Sequence, residues 1–181
     1  MSTTLPRELC CKFYKLTCEL GCLFSNLEEC NRGGCMIISS GDYNILCTGV
    51  SRRVYNESGS KKKMGNNNGC KDILYCLSEV EDMITKISKL GSVSLEETIA
   101  ITSRCPSLCD IKLLIESGVK ALVTVSPRVN TNDTTNYIEC LNKLMETCEI
   151  ILLDKHHHSE NNLLTHNLLT HNIQVYDKQW R

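Results

Sequence analysis

Hydrophobic and polar residues follow two periods along this chain, and each period is typical of one kind of element. Apolar residues recurring every three or four positions predict helices, at about residues 7–29, 72–90, 106–117, 133–148 and 163–172. Short apolar runs bounded by turn residues predict strands, at 35–39, 44–50, 98–102, 120–125 and 149–153, with 173–176 as a last strand. Helices and strands therefore alternate through most of the chain.

The clearest single element is the second helix. Its apolar residues step by four, three, four and three positions, which makes one stripe along a helix: Ile73, Leu77, Val80, Ile84 and Ile87. Gly91 follows it as a plausible end signal. Because helices separate most of the strands, we expect a sheet with parallel crossovers and helices packed on its faces.

Length and composition narrow the class of protein. The 181 residues suggest one domain, which we divide into a core of about 30–155, a polar loop at 51–70 and a helical extension at 156–181. A net charge of −1 gives no bulk attraction to nucleic acid or membranes. No apolar run reaches the length of a membrane helix, and the first residues do not resemble a secretory signal. We expect a cytoplasmic protein with neither partner.

Thirteen cysteines are an unusual number for a chain of this length. Many occupy apolar positions of the predicted helices and strands, where a thiol behaves as a small hydrophobic side chain. We therefore expect mostly unoxidised thiols, and the number alone does not indicate a metal. The run His156–His158 is interpreted as a polar loop, since adjacent residues of an extended segment point to alternate sides.

Five features stand out over about residues 30–155: GGCMIIS followed by NILCTGVS, then YCLSEVEDMI, TIAITSRCPSLC, DIKLLIESGVKALV and LLDKHHHS. They resemble the zinc-dependent cytidine/deoxycytidylate deaminase family. In that order they resemble the family's opening hairpin, the helix bearing His-Ala-Glu, the strand leading to Pro-Cys-x-x-Cys, the helix and strand that follow, and, distantly, a post-strand stretch of deoxycytidylate deaminases. The resemblance implies a three-layer α/β/α sandwich with a mixed sheet of about five strands.

The resemblance also implies a particular chemistry. In the family, one His and two Cys hold Zn²⁺, which makes a bound water acidic, and a Glu that is not a ligand moves the protons. Aligned on this chain, Glu79 takes the proton-transfer position and Leu77 takes the histidine position. Cys109 matches the second cysteine, whereas Pro106 falls in the slot of the first, with Cys105 one residue earlier.

A different ligand set restores three donors. Cys76 lies three residues before Glu79 on the predicted helix, so both would share one face, and Cys76, Cys105 and Cys109 could then bind zinc. Ser51 takes the place of the family's substrate-contacting Asn. This site requires that the strand-to-helix junction near residue 105 meets the amino end of the helix near residue 79.

Two functions remain open at this stage. In the first, the protein removes ammonia from a cytosine nucleotide, with deoxycytidylate as the expected substrate, Zn²⁺ as cofactor and Glu79 as the catalytic residue. In the second, it is an inactive relative with a damaged or absent zinc site that binds a nucleotide or another subunit. Because family members often form oligomers, we expect a homo- or hetero-oligomer in either case.

Overall fold

The computed structural model describes most of the predicted core. The described residues are 5–25, 27, 32–53, 76–91, 94–125, 143, 148–154 and 173–177. Most of the predicted helix at 133–148, the predicted helix at 163–172, most of the loop at 51–70, and His156–His158 lie outside them. Within the described ranges, no helix is long and apolar enough to cross a membrane.

Three helices and eight strands make up the described structure. The helices are α1 (Arg7–Phe24), α2 (Glu79–Leu90) and α3 (Leu108–Ser117). The strands are β1 (Gly34–Ser39), β2 (Ile45–Val50), β3 (Arg52–Arg53), β4 (Cys76–Leu77), β5 (Thr98–Thr102), β6 (Ala121–Val125), β7 (Glu149–Asp154) and β8 (Ile173–Asp177).

Six of the strands form one mixed sheet, in the order β2-β1-β5-β6-β7-β8. β1 runs antiparallel to both of its neighbours, β2 and β5. From β5 to β8 all pairs are parallel, as expected for strands joined by crossover connections. β3 and β4 form a separate antiparallel pair, in which Arg52 faces Leu77 and Arg53 faces Cys76.

The sheet is covered on both faces, because its side chains alternate between two apolar clusters. Cys35 and Ile37 of β1 belong to the cluster that contains α2 and α3. Met36 and Ile38 belong to the cluster that contains α1. The predicted α/β/α sandwich with a mixed sheet is therefore confirmed, with six strands where about five were expected.

The predicted start of the second helix is wrong. Ser78 caps α2, since its hydroxyl accepts from the Glu81 N–H while the Glu81 carboxylate accepts from the Ser78 N–H. This reciprocal cap sets the amino-terminal start of the helix at Ser78. Cys76 and Leu77 consequently lie in β4, so Leu77 is not on the apolar stripe, and Cys76 and Glu79 do not share a helix face.

A glycine lets α2 lie directly against the sheet. A Cβ atom built on Gly49 of β2 would lie 2.1 Å from the Glu79 carbonyl oxygen and 2.6 Å from the Met83 nitrogen. Any larger residue would push the first turn of α2 away from β2. The close approach therefore fixes where Glu79 stands above the sheet.

Candidate functional site

The amino ends of α2 and α3 meet at one side of the sheet. The Ser78 hydroxyl, which caps α2, donates to the Asp110 carboxylate in the first turn of α3. The same carboxylate accepts from the Ser107 N–H at 2.9 Å and from the Ser107 hydroxyl at 2.7 Å, which caps α3. One buried aspartate therefore ties both helix starts together. The predicted meeting of the helix near residue 79 with the junction near residue 105 is confirmed.

Glu79 lies at this meeting point, and its carboxylate is held by Arg104. The arginine donates from Nε at 3.1 Å and from a terminal nitrogen at 2.6 Å, one bond to each carboxylate oxygen. Glu79 is 2% exposed, whereas the Arg104 side chain keeps 38% of its surface exposed. Paired bonds of this kind combine charge with a fixed geometry. The predicted proton-transfer residue is thus the buried half of an ion pair whose guanidinium is partly exposed.

The backbone of Gly33, just before β1, lies directly against both members of this ion pair. A Cβ atom at Gly33 would lie 2.5 Å from the Glu79 carboxyl carbon and 2.6 Å from the Arg104 Nε. Both partners of the pair therefore contact the same stretch of backbone. A side chain at this position would force the two groups apart.

The backbone of Arg104 is positioned by the ends of two parallel strands. Thr124 of β6 donates from its hydroxyl to the Arg104 carbonyl at 3.1 Å. Thr102 of β5 in turn donates to the Thr124 hydroxyl at 2.8 Å. These threonines are buried, so their bonds are shielded from water. The strand ends therefore position the Arg104 backbone independently of the contacts that its side chain makes.

Ser51, the predicted substrate-binding residue, lies in a buried network at the end of β2. Its hydroxyl accepts from the Gly33 N–H at 2.7 Å, and its carbonyl accepts from the Ser25 hydroxyl at 2.6 Å. Only 1% of Ser51 is exposed. The network joins the end of α1 to the backbone beneath the Glu79–Arg104 pair. A contact between Ser51 and a substrate stays a prediction.

The three candidate zinc ligands lie on three different pieces of structure. Cys76 is in β4 opposite Arg53. Cys105 packs against the apolar cluster on the α1 side of the sheet. Cys109 is exposed in the first turn of α3. Among the residues the structure describes, no group of three or more His, Cys, Asp or Glu side chains could hold a metal ion.

This donor arrangement does not fit the zinc centre that the sequence resemblance implies. The carboxylate that should stand beside a metal-bound water is already engaged by a guanidinium. A zinc centre of the expected kind needs three protein ligands around one point. Because the described residues supply no such set, no catalytic step through zinc can be assigned to this arrangement.

A third buried carboxylate, Asp82, joins α2 to the segment that carries Ser51. It accepts from the Val50 N–H at 3.1 Å, from Arg52 at 2.7 Å and from Lys86 at 2.6 Å. Burial acts to raise the pKa of Asp82, but the bonds from Lys86, Val50 and Arg52 outweigh it and leave the pKa below its usual value. Its side chain is fully buried, so the contact orients β2 and β3 against α2.

Sequence reasoning missed both Arg104 and Asp82. The four-residue spacing of Asp82 and Lys86 predicts an ion pair on one helix face. Nothing local indicates that Asp82 is buried, or that Arg104 reaches Glu79. Both facts depend on which strands are neighbours in the folded sheet.

Comparison with solved structures places this fold beside a phage enzyme. The crystal structure of dCMP deaminase from the cyanophage S-TIM5 in complex with dCMP and dUMP is similar with a TM-score of 0.59 and 19% sequence identity. The match covers 82% of this chain and 99% of that chain. The apo form of the same enzyme gives a TM-score of 0.55 and 18% identity with the same coverage.

Sequence comparisons add no closer relation. No protein-family model matches the chain, and no curated protein matches it significantly. At 19% identity, the structural likeness establishes a deaminase-like fold, and function has to be argued from the site.

Proposed function

We propose that this protein binds a pyrimidine deoxynucleotide on a deaminase fold and does not deaminate it by the zinc mechanism. The observation that carries the proposal is the bidentate ion pair between Glu79 and Arg104. A residue that exchanges protons with a substrate needs its carboxylate within reach of the reacting atoms. Here both carboxylate oxygens already have a charged partner.

The ligand class is supported by the fold. The similar cyanophage enzyme was crystallised with dCMP and dUMP, and the likeness covers nearly all of that chain. Ligands of open α/β sheets bind outside the carboxyl ends of the parallel strands. In this chain the carboxyl end of β5 leads directly into Arg104 and the start of α3. The proposed binding position is therefore the region around Glu79, Arg104 and Gly33.

The test separates binding from hydrolysis. Titration calorimetry with dCMP and dUMP should detect binding, and dAMP is the purine control. Ammonia release from dCMP should not exceed that of the Glu79→Gln variant. Glu96→Gln is the matched control, since Glu96 is an exposed carboxylate away from the pair.

Two results would overturn the proposal in different ways. If neither dCMP nor dUMP binds, the proposed ligand class is wrong. Ammonia release by the wild type that is lost in Glu79→Gln and kept in Glu96→Gln would make the protein an active deaminase instead. In that case Arg104 would have to leave the carboxylate during turnover.

Assembly is a separate prediction under this proposal. A non-hydrolytic relative can act by joining an active subunit or a second copy of itself, so we retain the expectation of a homo- or hetero-oligomer. Light scattering coupled to size-exclusion chromatography, with and without dCMP, measures this directly. If the protein is a monomer at all concentrations, the prediction of a homo-oligomer is wrong.

A further inference from the structure

A carboxylate as buried as that of Glu79 requires a compensating positive charge. Moving an ion from water into the protein interior is unfavourable by several kcal/mol unless it is paired and hydrogen-bonded. Among the contacts of Glu79 that the structure describes, Arg104 supplies this charge, with one bond to each oxygen. The guanidinium is planar and presents two parallel donors, which matches a carboxylate better than a point charge does.

The space around the pair is shaped for this cation. Gly33 leaves room for the Glu79 carboxyl carbon and the Arg104 Nε, since a Cβ atom would lie within 2.6 Å of both. The Arg104 backbone is fixed from below by the hydroxyl of Thr124. The arginine is therefore placed by the fold and not only attracted by the charge of Glu79.

We propose that the position beside the Glu79 carboxylate is a cation site whose resident cation is the Arg104 guanidinium, which keeps a divalent metal away from the carboxylate. A metal ion and the guanidinium cannot occupy the same side of the carboxylate together. The absence of a three-ligand set among the described residues agrees with this arrangement. The inference concerns cation binding alone, so it stands or falls independently of nucleotide binding.

The site predicts chemical rescue. Arg104→Ala removes the guanidinium from beside a buried carboxylate and opens this partly exposed position to solvent, so small guanidinium ions should bind there. Thermal unfolding of the full-length protein is measured at increasing concentrations of ethylguanidinium chloride, with sodium chloride at the same concentrations as the control. At ten times the dissociation constant of the added cation, the Tm of Arg104→Ala should rise by about 4 °C.

The matched variants show whether the effect comes from this site. The wild type should gain nothing, because its own guanidinium already pairs with Glu79. Arg104→Ala combined with Glu79→Gln should also gain nothing. Equal stabilisation of the double variant would overturn the proposal, as would no stabilisation of Arg104→Ala. If Arg104→Ala does not fold, Arg104→Lys serves in its place. Its Tm should rise in ethylguanidinium where that of the wild type does not, and no rise would overturn the proposal.

Metal binding gives a second readout that needs no activity. Zinc bound by the reduced Arg104→Ala variant is compared with zinc bound by the wild type, using competition against a chromophoric chelator. More zinc is expected in Arg104→Ala, and the excess should be lost when Glu79→Gln is added, since any zinc bound elsewhere by thiols is the same in all three proteins. Equal zinc in Arg104→Ala and the wild type would overturn the exclusion of metal by the guanidinium.

Discussion

The starts of α2 and α3 are built alike, but they differ in what surrounds them. Each begins with a serine cap and an acidic residue three positions later, Ser78 with Glu81 and Ser107 with Asp110. Around the start of α2, Glu79 is buried and paired. At the start of α3, Ser107 and Cys109 are exposed. The same local signal therefore begins one helix at a partly buried serine and the other at an exposed serine, while Asp110 in the first turn of α3 is itself buried.

The difference shows that the caps determine where the two helices begin. The order of the strands and the packing of the helices on the sheet determine which side chains meet between the two starts. Arg104 reaches Glu79 because β5 ends beside β1 and β6. Asp110 reaches Ser78 because both helices pack on the same apolar cluster. A disruption at the α2 start should consequently be more harmful than an equivalent one at the α3 start.

The largest effect is expected from breaking the charged link between the two starts. Arg104→Met keeps the length of the side chain but leaves Glu79 buried without this partner. The free energy of unfolding should fall by about 3 kcal/mol, at the low end for a broken buried pair because the guanidinium is partly exposed. Urea denaturation followed by circular dichroism measures this loss.

The control for that variant removes both charges. Arg104→Met together with Glu79→Gln should be more stable than Arg104→Met alone, since no buried charge is left over. If the double variant is the less stable of the two, the ion pair does not govern the stability of the α2 start.

A smaller loss is expected from forcing α2 away from β2. Gly49→Ala places a Cβ atom against the Glu79 carbonyl and Met83, and overpacking of this kind costs about 2 kcal/mol. Gly41→Ala is the matched control, because the nearest atom to a Cβ there is the Ser39 hydroxyl at 3.9 Å. Equal unfolding midpoints for the two variants would contradict the close contact between β2 and α2.

The fold could be predicted from the sequence largely because its strands are short and bounded by turn residues. The strand predicted at 98–102 has the observed bounds, and that at 149–153 differs by one residue. The start of α2 was misplaced because the apolar spacing of Ile73 and Leu77 continues past the cap. The Ser78–Glu81 signal would have located the true start.

The candidate site was predictable only as a location. The resemblance brought the helix near residue 79 to the junction near residue 105, which the structure confirms. The partners of the individual side chains were not predictable, because they depend on register and depth. Ser51 meets Gly33 through the pairing of β1 with β2, and Arg104 meets Glu79 through the order of the central strands.

Removing the two caps compares the helix starts directly. Each serine loses a cap and a bond to Asp110 when it is replaced by alanine. Ser78 is partly buried, so a loss of about 1.5 kcal/mol is expected for Ser78→Ala. Ser107 is exposed, and water can replace part of what its hydroxyl provides. Ser107→Ala should therefore lose less, about 0.7 kcal/mol. Equal losses in chemical denaturation would mean that burial does not distinguish the two starts.

The smallest effect is expected on the pH dependence of the unfolding free energy, to which Asp82 of α2 contributes. Because its pKa in the folded state is below the usual value, the stability it contributes is present above the unfolded pKa and is lost as the pH falls through the folded pKa. Asp82→Asn removes this titration, so its unfolding free energy should fall less steeply than that of the wild type below about pH 4. Glu96→Gln, an exposed carboxylate, should keep the wild-type slope. Parallel slopes for the wild type and Asp82→Asn would show that the contacts with Arg52 and Lys86 do not favour the charged carboxylate in the folded protein.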